Sequence, residues 1–250
     1  MKSVIQAFRV LQEVAETQPV GVSDLARRLD LPKSTAHRFL TTLETVGWVA
    51  RKSGSQGGQW VLSAAPAILA QRVAADSNLR TAAKPVMERL RNACTEAVHL
   101  AVPQSGEVVV IDQVESTQPV RIHWPVGQHS PVHASANGKA ILAFSGGQQR
   151  ANLYPESFEV FTPDTISSAE EFEADLAQVR ERGFAIVRGE LREDICSLAA
   201  PIFGGRSNPV ASLSAFMPTY RMPEDEGILG AMVREAAAEI SAAMKLGQNG

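Results

Sequence analysis

Residues 22–43 read VSDLARRLDLPKSTAHRFLTTL and predict two short helices joined by a tight turn. Ser23 is expected to cap the first helix, with Val22 packed in front of the cap. Pro32 suits a first helical turn and disfavours the α region for the residue before it, so the second helix should begin near Pro32. This arrangement is typical of motifs that place their second helix in the major groove of DNA.

The second predicted helix, from Lys33 to Val46, separates apolar and polar residues at helical spacing. Its apolar stripe consists of Ala36, Phe39, Leu40 and Leu43. The residues predicted to contact DNA are Lys33, Ser34, Thr35, His37, Arg38 and Thr41. An ordinary pair of packed helices would show the same stripe, so this pattern alone leaves DNA binding and plain packing both open.

Two strand-like runs follow the helix pair, at residues 48–51 and 59–62. The residues between them are rich in glycine and serine, which favours a hairpin tip. Arg51 and Lys52 at the start of this tip are further candidates for phosphate contacts. A basic hairpin next to a recognition helix favours a winged helix-turn-helix domain.

Five segments, in this order, resemble the IclR family of transcriptional regulators. They are residues 22–43, 131–143 (PVHASANGKAILA), 179–185 (VRERGFA), 199–203 (AAPIF) and 211–214 (ASLS). The resemblance implies an α+β protein with an N-terminal winged helix-turn-helix domain, a linker helix and a C-terminal GAF-like effector-binding domain. We place these parts at residues 1–62, 63–78 and 79–250, with a hinge at Asp76, Ser77 and Asn78.

Length and charge agree with two domains of different character. The chain has 250 residues, of which 44% are hydrophobic, and a net charge of −3. Residues 1–75 hold nine basic and five acidic residues, a net charge of +4, whereas the remainder holds 15 and 22, a net charge of −7. Only the first part is therefore expected to face a polyanion such as DNA.

The C-terminal part shows alternating strand and helix signals. We predict helices near residues 79–93, 137–144, 168–182 and 223–244, and strands near residues 98–102, 108–114, 120–124, 184–187, 197–203 and 210–216. Helices flanking an antiparallel sheet give an α+β domain.

Catalytic and metal-binding signatures are not evident in the sequence. His99, His123, His129 and His133 lack ligand spacing, and Cys94 and Cys196 are expected to be small, partly buried thiols. We therefore expect no cofactor, no metal and no enzymatic activity. Two rival interpretations remain: a C-terminal domain that only forms oligomers, and an enzyme using Ser214 or Cys196.

An effector pocket is implied by the resemblance, between the start of the helix near Asn137 and the last strands. The positions that carry over are Ala136, Asn137, Val187, Ser197, Ser214 and Phe216. Free amides at a helix start bind anions, although a plain helix entry would look the same. Val187 and Phe216 depart from the pattern that suits very small polar acids, so the sequence favours an acid with apolar or aromatic bulk.

The expected partners follow from this interpretation. They are a palindromic or nearly palindromic double-stranded DNA operator, a small-molecule effector and further copies of the chain, as a homodimer or homotetramer. No apolar run approaches the roughly 20 residues of a membrane span, and the N-terminus does not resemble a signal peptide, so we expect a cytoplasmic protein.

Overall fold

The computed structural model describes residues 2–52, 58–74, 78–204 and 208–246. The chain divides into two compact units, Met1–Ser77 and Asn78–Gly250. The helix expected as a separate linker falls within the first unit. Of the predicted hinge, Asp76 and Ser77 lie outside the described residues, and Asn78 already belongs to the next helix.

The first unit contains four helices and a two-stranded hairpin in its described residues. They are α1 (Lys2–Thr17), α2 (Val22–Arg28), α3 (Lys33–Thr45), β1 (Val49–Arg51), β2 (Trp60–Leu62) and α4 (Ala65–Ala74). Trp60 is 2% exposed and packs among buried side chains of α1, α2 and α3, such as Val10, Leu25 and Leu40. The backbones of Val20 and Trp60 exchange hydrogen bonds of 3.0 and 2.8 Å, which tie the hairpin to the helices.

The turn between α2 and α3 follows the prediction at Pro32, which is the residue before the first turn of α3. The predicted cap at Ser23 is wrong, because α2 already begins at Val22. Gly21 occupies the cap position with extended backbone, and its carbonyl accepts a 3.1 Å hydrogen bond from the amide of Leu25. Ser23 and Val22 therefore lie inside the first turn, and no side chain caps it.

The second unit combines five α-helices with six strands in its described residues. The helices are α5 (Asn78–Cys94), α6 (Ala136–Phe144), α7 (Gly147–Leu153), α8 (Ala169–Arg182) and α9 (Glu226–Leu246), and the strands are β3 (Ala97–Gln104), β4 (Glu107–Val114), β5 (His129–Pro131), β6 (Ala185–Arg188), β7 (Ile195–Phe203) and β8 (Pro209–Pro218). The strands form one antiparallel sheet in the order β5-β4-β3-β8-β7-β6. The predicted α+β class is confirmed.

The sheet buries both of its faces because successive side chains of a strand point to opposite sides. Leu198 and Leu213 point to one face, where they join a core with α5 and α9. Ala199 points to the other face and packs with Ile141 of α6 and Leu176 of α8. α6 begins at Ala136, and the part of the sheet beyond this first turn is not covered by α6.

Residues 120–124 form no strand, so that prediction is wrong. Pro119 and Pro125 bracket the segment and lack the amide hydrogens that a sheet ladder needs. The edge strand is instead β5, in which His129 pairs with Val109 of β4. The short helix α7 was not predicted either.

Candidate nucleic-acid interface and effector cavity

The outer face of α3 carries the residues predicted to contact DNA. Lys33, Ser34, His37, Arg38 and Thr41 are exposed, and Thr35 is half-buried at the flank of the helix. Ala36, Leu40 and Leu43 hold the opposite face in the core. Lys33 and Arg38 form no ion pair within the described part of the chain, so their charges are available to a polyanion.

The hairpin presents Arg51 in a more constrained setting. Its Nε lies 3.5 Å from the Glu44 carboxylate, and its guanidinium lies 4.7 Å from the centre of the Trp60 ring. The backbone amide of Lys52 donates to the carbonyl of Gln59 at 2.9 Å and closes the described end of the hairpin. Residues 53–57 of the predicted tip lie outside the described residues.

A small cavity of about 40 Å³ lies where the sheet extends beyond the first turn of α6. This volume has room for only a few water molecules, at about 10–15 Å³ each, so a larger ligand requires side chains of the wall to move aside. Five of the six predicted effector residues line it: Ala136, Asn137, Val187, Ser197 and Phe216. None of the described residues that line this cavity is acidic.

The first turn of α6 leaves two backbone amides free at this cavity. Ser135 caps the helix, because its hydroxyl accepts a hydrogen bond from the Gly138 amide at 3.2 Å and donates one to the Pro131 carbonyl. The amides of Ala136 and Asn137 have no hydrogen-bond partner among the described residues. They lie at the positive end of the helix dipole and can bind an anion.

Ser214 is placed differently from the expectation. It is fully buried and does not line the cavity. Its hydroxyl instead accepts a 3.1 Å hydrogen bond from Nδ2 of Asn137, while the Ser212 hydroxyl donates to Oδ1 of Asn137 at 2.9 Å. The two serines thus orient the Asn137 side chain, and Ser214 can affect a ligand only through it. The role of Ser212 was missed because its strand position gave no polar signal.

Aromatic side chains form the wall opposite the helix. The ring of Phe216 lies 4.8 Å from that of His99 and 5.6 Å from that of Trp124, measured between centroids. His99 is 2% exposed, and burial lowers its pKa from 6.5 to about 4. The sequence did not predict that His99 and Trp124 line the cavity. Trp124 was assigned to a strand, and His99 was interpreted as an ordinary polar histidine.

The loop after β6 supplies the one cation that lines the cavity among the described residues, Arg192. Its guanidinium makes hydrogen bonds of 3.1 and 2.9 Å to Asp194. The fully buried Lys139 of α6 anchors the same loop, with Nζ 2.7 Å from both carboxylate oxygens of Glu190 and 2.9 Å from Asp175. Burial raises the pKa of Glu190, and the charge of Lys139 opposes that rise.

Three further features bear on function: the two cysteines, the potential metal ligands and the apolar character of the helices. Cys196 is buried and Cys94 partly buried, and burial raises the pKa of both thiols. In the part of the chain that the structure describes, no group of three or more His, Cys, Asp or Glu side chains could hold a metal ion. No helix among those residues has the length and apolar character needed to cross a membrane.

Two family models match the chain. Residues 3–53 match the IclR helix-turn-helix domain, and residues 71–242 match the model described as Bacterial transcriptional regulator IclR C-terminal. The helix pair is therefore a DNA-binding motif. Its sequence pattern alone had left open whether it was only a pair of packed helices.

Relatives with known roles align along nearly the whole chain. Transcriptional repressor IclR of Escherichia coli strain K12 is 33% identical over 248 residues, covering 97% of this chain and 90% of the repressor. HTH-type transcriptional regulator KdgR of the same organism is 30% identical, with 98% and 93% covered.

Solved structures agree with these relatives. An IclR homolog from Microbacterium hydrocarbonoxydans, complexed with 4-hydroxybenzoate, is 28% identical with a TM-score of 0.80, covering 98% of this chain and 99% of the homolog. The IclR protein of Thermotoga maritima is 27% identical with a TM-score of 0.79 over the same shares. From its two family domains and these full-length relatives, the chain belongs to the IclR family of DNA-binding transcriptional regulators, with a C-terminal effector-binding domain.

Proposed function

We propose that this regulator reads an operator of two-fold symmetry as a homodimer or homotetramer, through α3 and the hairpin of each protomer. The exposed polar face of α3 and its unpaired cations, Lys33 and Arg38, support this use of the first unit. Two recognition helices related by a two-fold axis meet two half-sites, so the operator is palindromic or nearly so. The protein then acts in the cytoplasm, where its DNA lies.

Selection of bound duplexes from a random DNA library tests this proposal. The expected product is a pair of inverted half-sites with centres about 10 base pairs, or a multiple of that, apart. Sedimentation of the protein with the selected duplex gives the number of protomers per site. A single asymmetric site bound by one protomer would contradict the proposal.

We further propose that the effector is an aromatic or otherwise bulky organic acid. The observation that carries this proposal is a cavity lined by free helix-start amides and aromatic rings and by no acidic side chain among the described residues. The carboxylate lies at the amides of Ala136 and Asn137, and the apolar body lies against Val187 and Phe216. Arg192 is already paired with Asp194 and contributes a more distant positive charge. The bound 4-hydroxybenzoate of the Microbacterium hydrocarbonoxydans homolog supports this ligand class.

Calorimetry with benzoate, benzamide and pyruvate tests the ligand class. Benzamide has the shape of benzoate without its charge, and pyruvate has the charge without the ring. We expect benzoate to bind more than tenfold tighter than either of them, because each lacks one of the two interactions. Tighter binding of pyruvate would contradict the aromatic class, and equal binding of benzamide would contradict the anion site.

We also propose that the effector leaves the protein unchanged. The relatives are transcriptional regulators, which supports a sensor over the rival enzyme. Chromatography of benzoate after prolonged incubation with the protein is expected to recover it intact. If neither benzoate nor pyruvate binds, the proposed ligand class is wrong.

A further inference from the structure

His99 is a buried polar side chain without a polar partner. It lies on β3 with its ring on the sheet face that lines the cavity, and it is 2% exposed. Neither ring nitrogen has a hydrogen-bond partner among the residues that the structure describes. Because this unpartnered ring borders the cavity, a ligand there can supply the hydrogen bond that the ring lacks.

The surroundings keep this imidazole neutral and unsatisfied. Burial lowers its pKa to about 4, so at neutral pH one ring nitrogen donates and the other accepts. Ser214 lies opposite His99 in the β3–β8 register, but no side-chain hydrogen bond joins the two residues; the Ser214 hydroxyl instead accepts from Asn137. The ring also borders a smaller recess, in which Glu115 pairs with Arg121 at 3.1 Å.

We propose that His99 binds a hydroxyl group on the effector ring, so that the preferred ligands are hydroxy-substituted aromatic carboxylates. This inference rests on the proposed effector site and adds the recognition of a ring substituent. A phenolic hydroxyl both donates and accepts, as a neutral imidazole does. A second carboxylate would meet no unpaired cation there, and an unsubstituted ring would leave the imidazole without a partner.

The aromatic wall orients the ligand for this contact. Phe216 packs between His99 and Trp124, so a ligand ring that lies against Phe216 has its edge near the imidazole. The carboxylate at the amides of Ala136 and Asn137 fixes the opposite end. His99 is therefore a specificity residue, whereas the helix start supplies affinity for every acid.

Calorimetry on a cycle of proteins and ligands tests the assignment. The proteins are the full-length wild type, His99→Phe, His99→Asn and Val187→Ala, and the ligands are benzoate, 3-hydroxybenzoate and 4-hydroxybenzoate. We expect the wild type to bind one hydroxybenzoate about tenfold tighter than benzoate, the ratio that corresponds to ~1.4 kcal/mol. His99→Phe abolishes this preference, so that benzoate and the hydroxybenzoates bind to it with equal affinity, and His99→Asn keeps part of the preference because it retains a donor and an acceptor.

Val187→Ala is the matched control, because it shortens a cavity wall without touching a polar group. It should weaken all three ligands by a similar factor. A preference that persists in His99→Phe, or a wild type that binds benzoate with no hydroxyl preference, would overturn the inference and leave the effector site standing. Failure of all three acids to bind would overturn both.

Discussion

The side chain of Arg38 is the feature of α3 best suited to read DNA. It is exposed, it makes no ion pair among the described residues, and its helix is held by the buried Ala36 and Leu40. A guanidinium in this position can bind guanine or phosphate in a bidentate manner. Arg51 is less free, because Glu44 and Trp60 already contact it.

Arg38→Ala is therefore expected to weaken binding to the selected operator by about 1–3 kcal/mol. The free energy of unfolding should hardly change, since the side chain is exposed and makes no ion pair among the described residues. Fluorescence anisotropy at fixed salt measures the affinity. Arg89→Ala is the control, because it removes an exposed arginine of the second unit that pairs with Glu239. Equal losses for both variants would show that α3 has no special role.

At the scale of secondary-structure elements, α6 is positioned by close contact and by charge. A Cβ added to Gly138 would lie 2.5 Å from Cα and from the carbonyl oxygen of Val132, so only glycine allows this approach. Lys139, one residue later, joins α6 to Glu190 and to Asp175. Both contacts fix the helix start that presents the free amides.

Gly138→Ala should destabilise the protein by about 1–3 kcal/mol, as overpacking commonly does, and weaken benzoate binding by displacing the amides. Urea unfolding and calorimetry measure the two effects. Gly146→Ala is the control, because its added Cβ would come no closer than 3.6 Å to Asn208. An affinity that survives Gly138→Ala would place the anion away from the helix start.

Lys139→Met should cost about 3–5 kcal/mol of stability, because it leaves the buried Glu190 without its cation and leaves Asp175 with only the more distant Arg182, at 3.9 Å. Lys84→Met, in a half-exposed pair with Asp112, should cost less than about 1 kcal/mol. Burial raises the pKa of Glu190, and losing Lys139 raises it further. Protonation of Glu190 then stabilises the folded variant. The loss in free energy of unfolding caused by Lys139→Met, relative to the wild type, should therefore shrink as the pH falls toward 5 and grow as the pH rises. A deficit independent of pH in urea titrations would contradict this account.

Sequence periodicity correctly predicted elements that have one clearly apolar face. It failed for segments whose conformation depends on contacts with residues distant in sequence. The apolar stripe of α3, with Leu40 as an example, matched the observed core. Segment 120–124 alternates like a strand, but Trp124 packs on Phe216 from outside the sheet. Five cavity residues were predicted by family resemblance. His99 and Arg192 were not, because the position of His99 at the cavity depends on the register of β3 and that of Arg192 on the conformation of a loop, and residue spacing predicts neither.

At the scale of the whole molecule, the charge is divided between the two units. The first unit, residues 1–77, carries +3 and the second unit −6, so only the first unit attracts DNA by its net charge. Signalling then requires that the effector binds the state with high DNA affinity and the state with low DNA affinity unequally. Such coupling is reciprocal, since it is a free energy shared by both ligands.

Benzoate at saturation should therefore change operator affinity by the same factor by which saturating operator changes benzoate affinity. Factors of about 5–150 are usual for such coupling. Anisotropy measures the first and calorimetry the second. Unequal factors would indicate a further binding event, and a factor of one in both titrations would show that benzoate occupies the site without signalling.

The close packing at Gly138 has a consequence for how such sensors diversify. The helix start that we propose for the acid group is packed closely on Val132 at Gly138, whereas Val187, His99 and Phe216 are side chains on strands whose backbone register does not depend on a glycine. New effector specificities should therefore arise by substitution on the sheet, with the acid group retained. A designer of biosensors should randomise these three strand positions and leave residues 132–138 untouched.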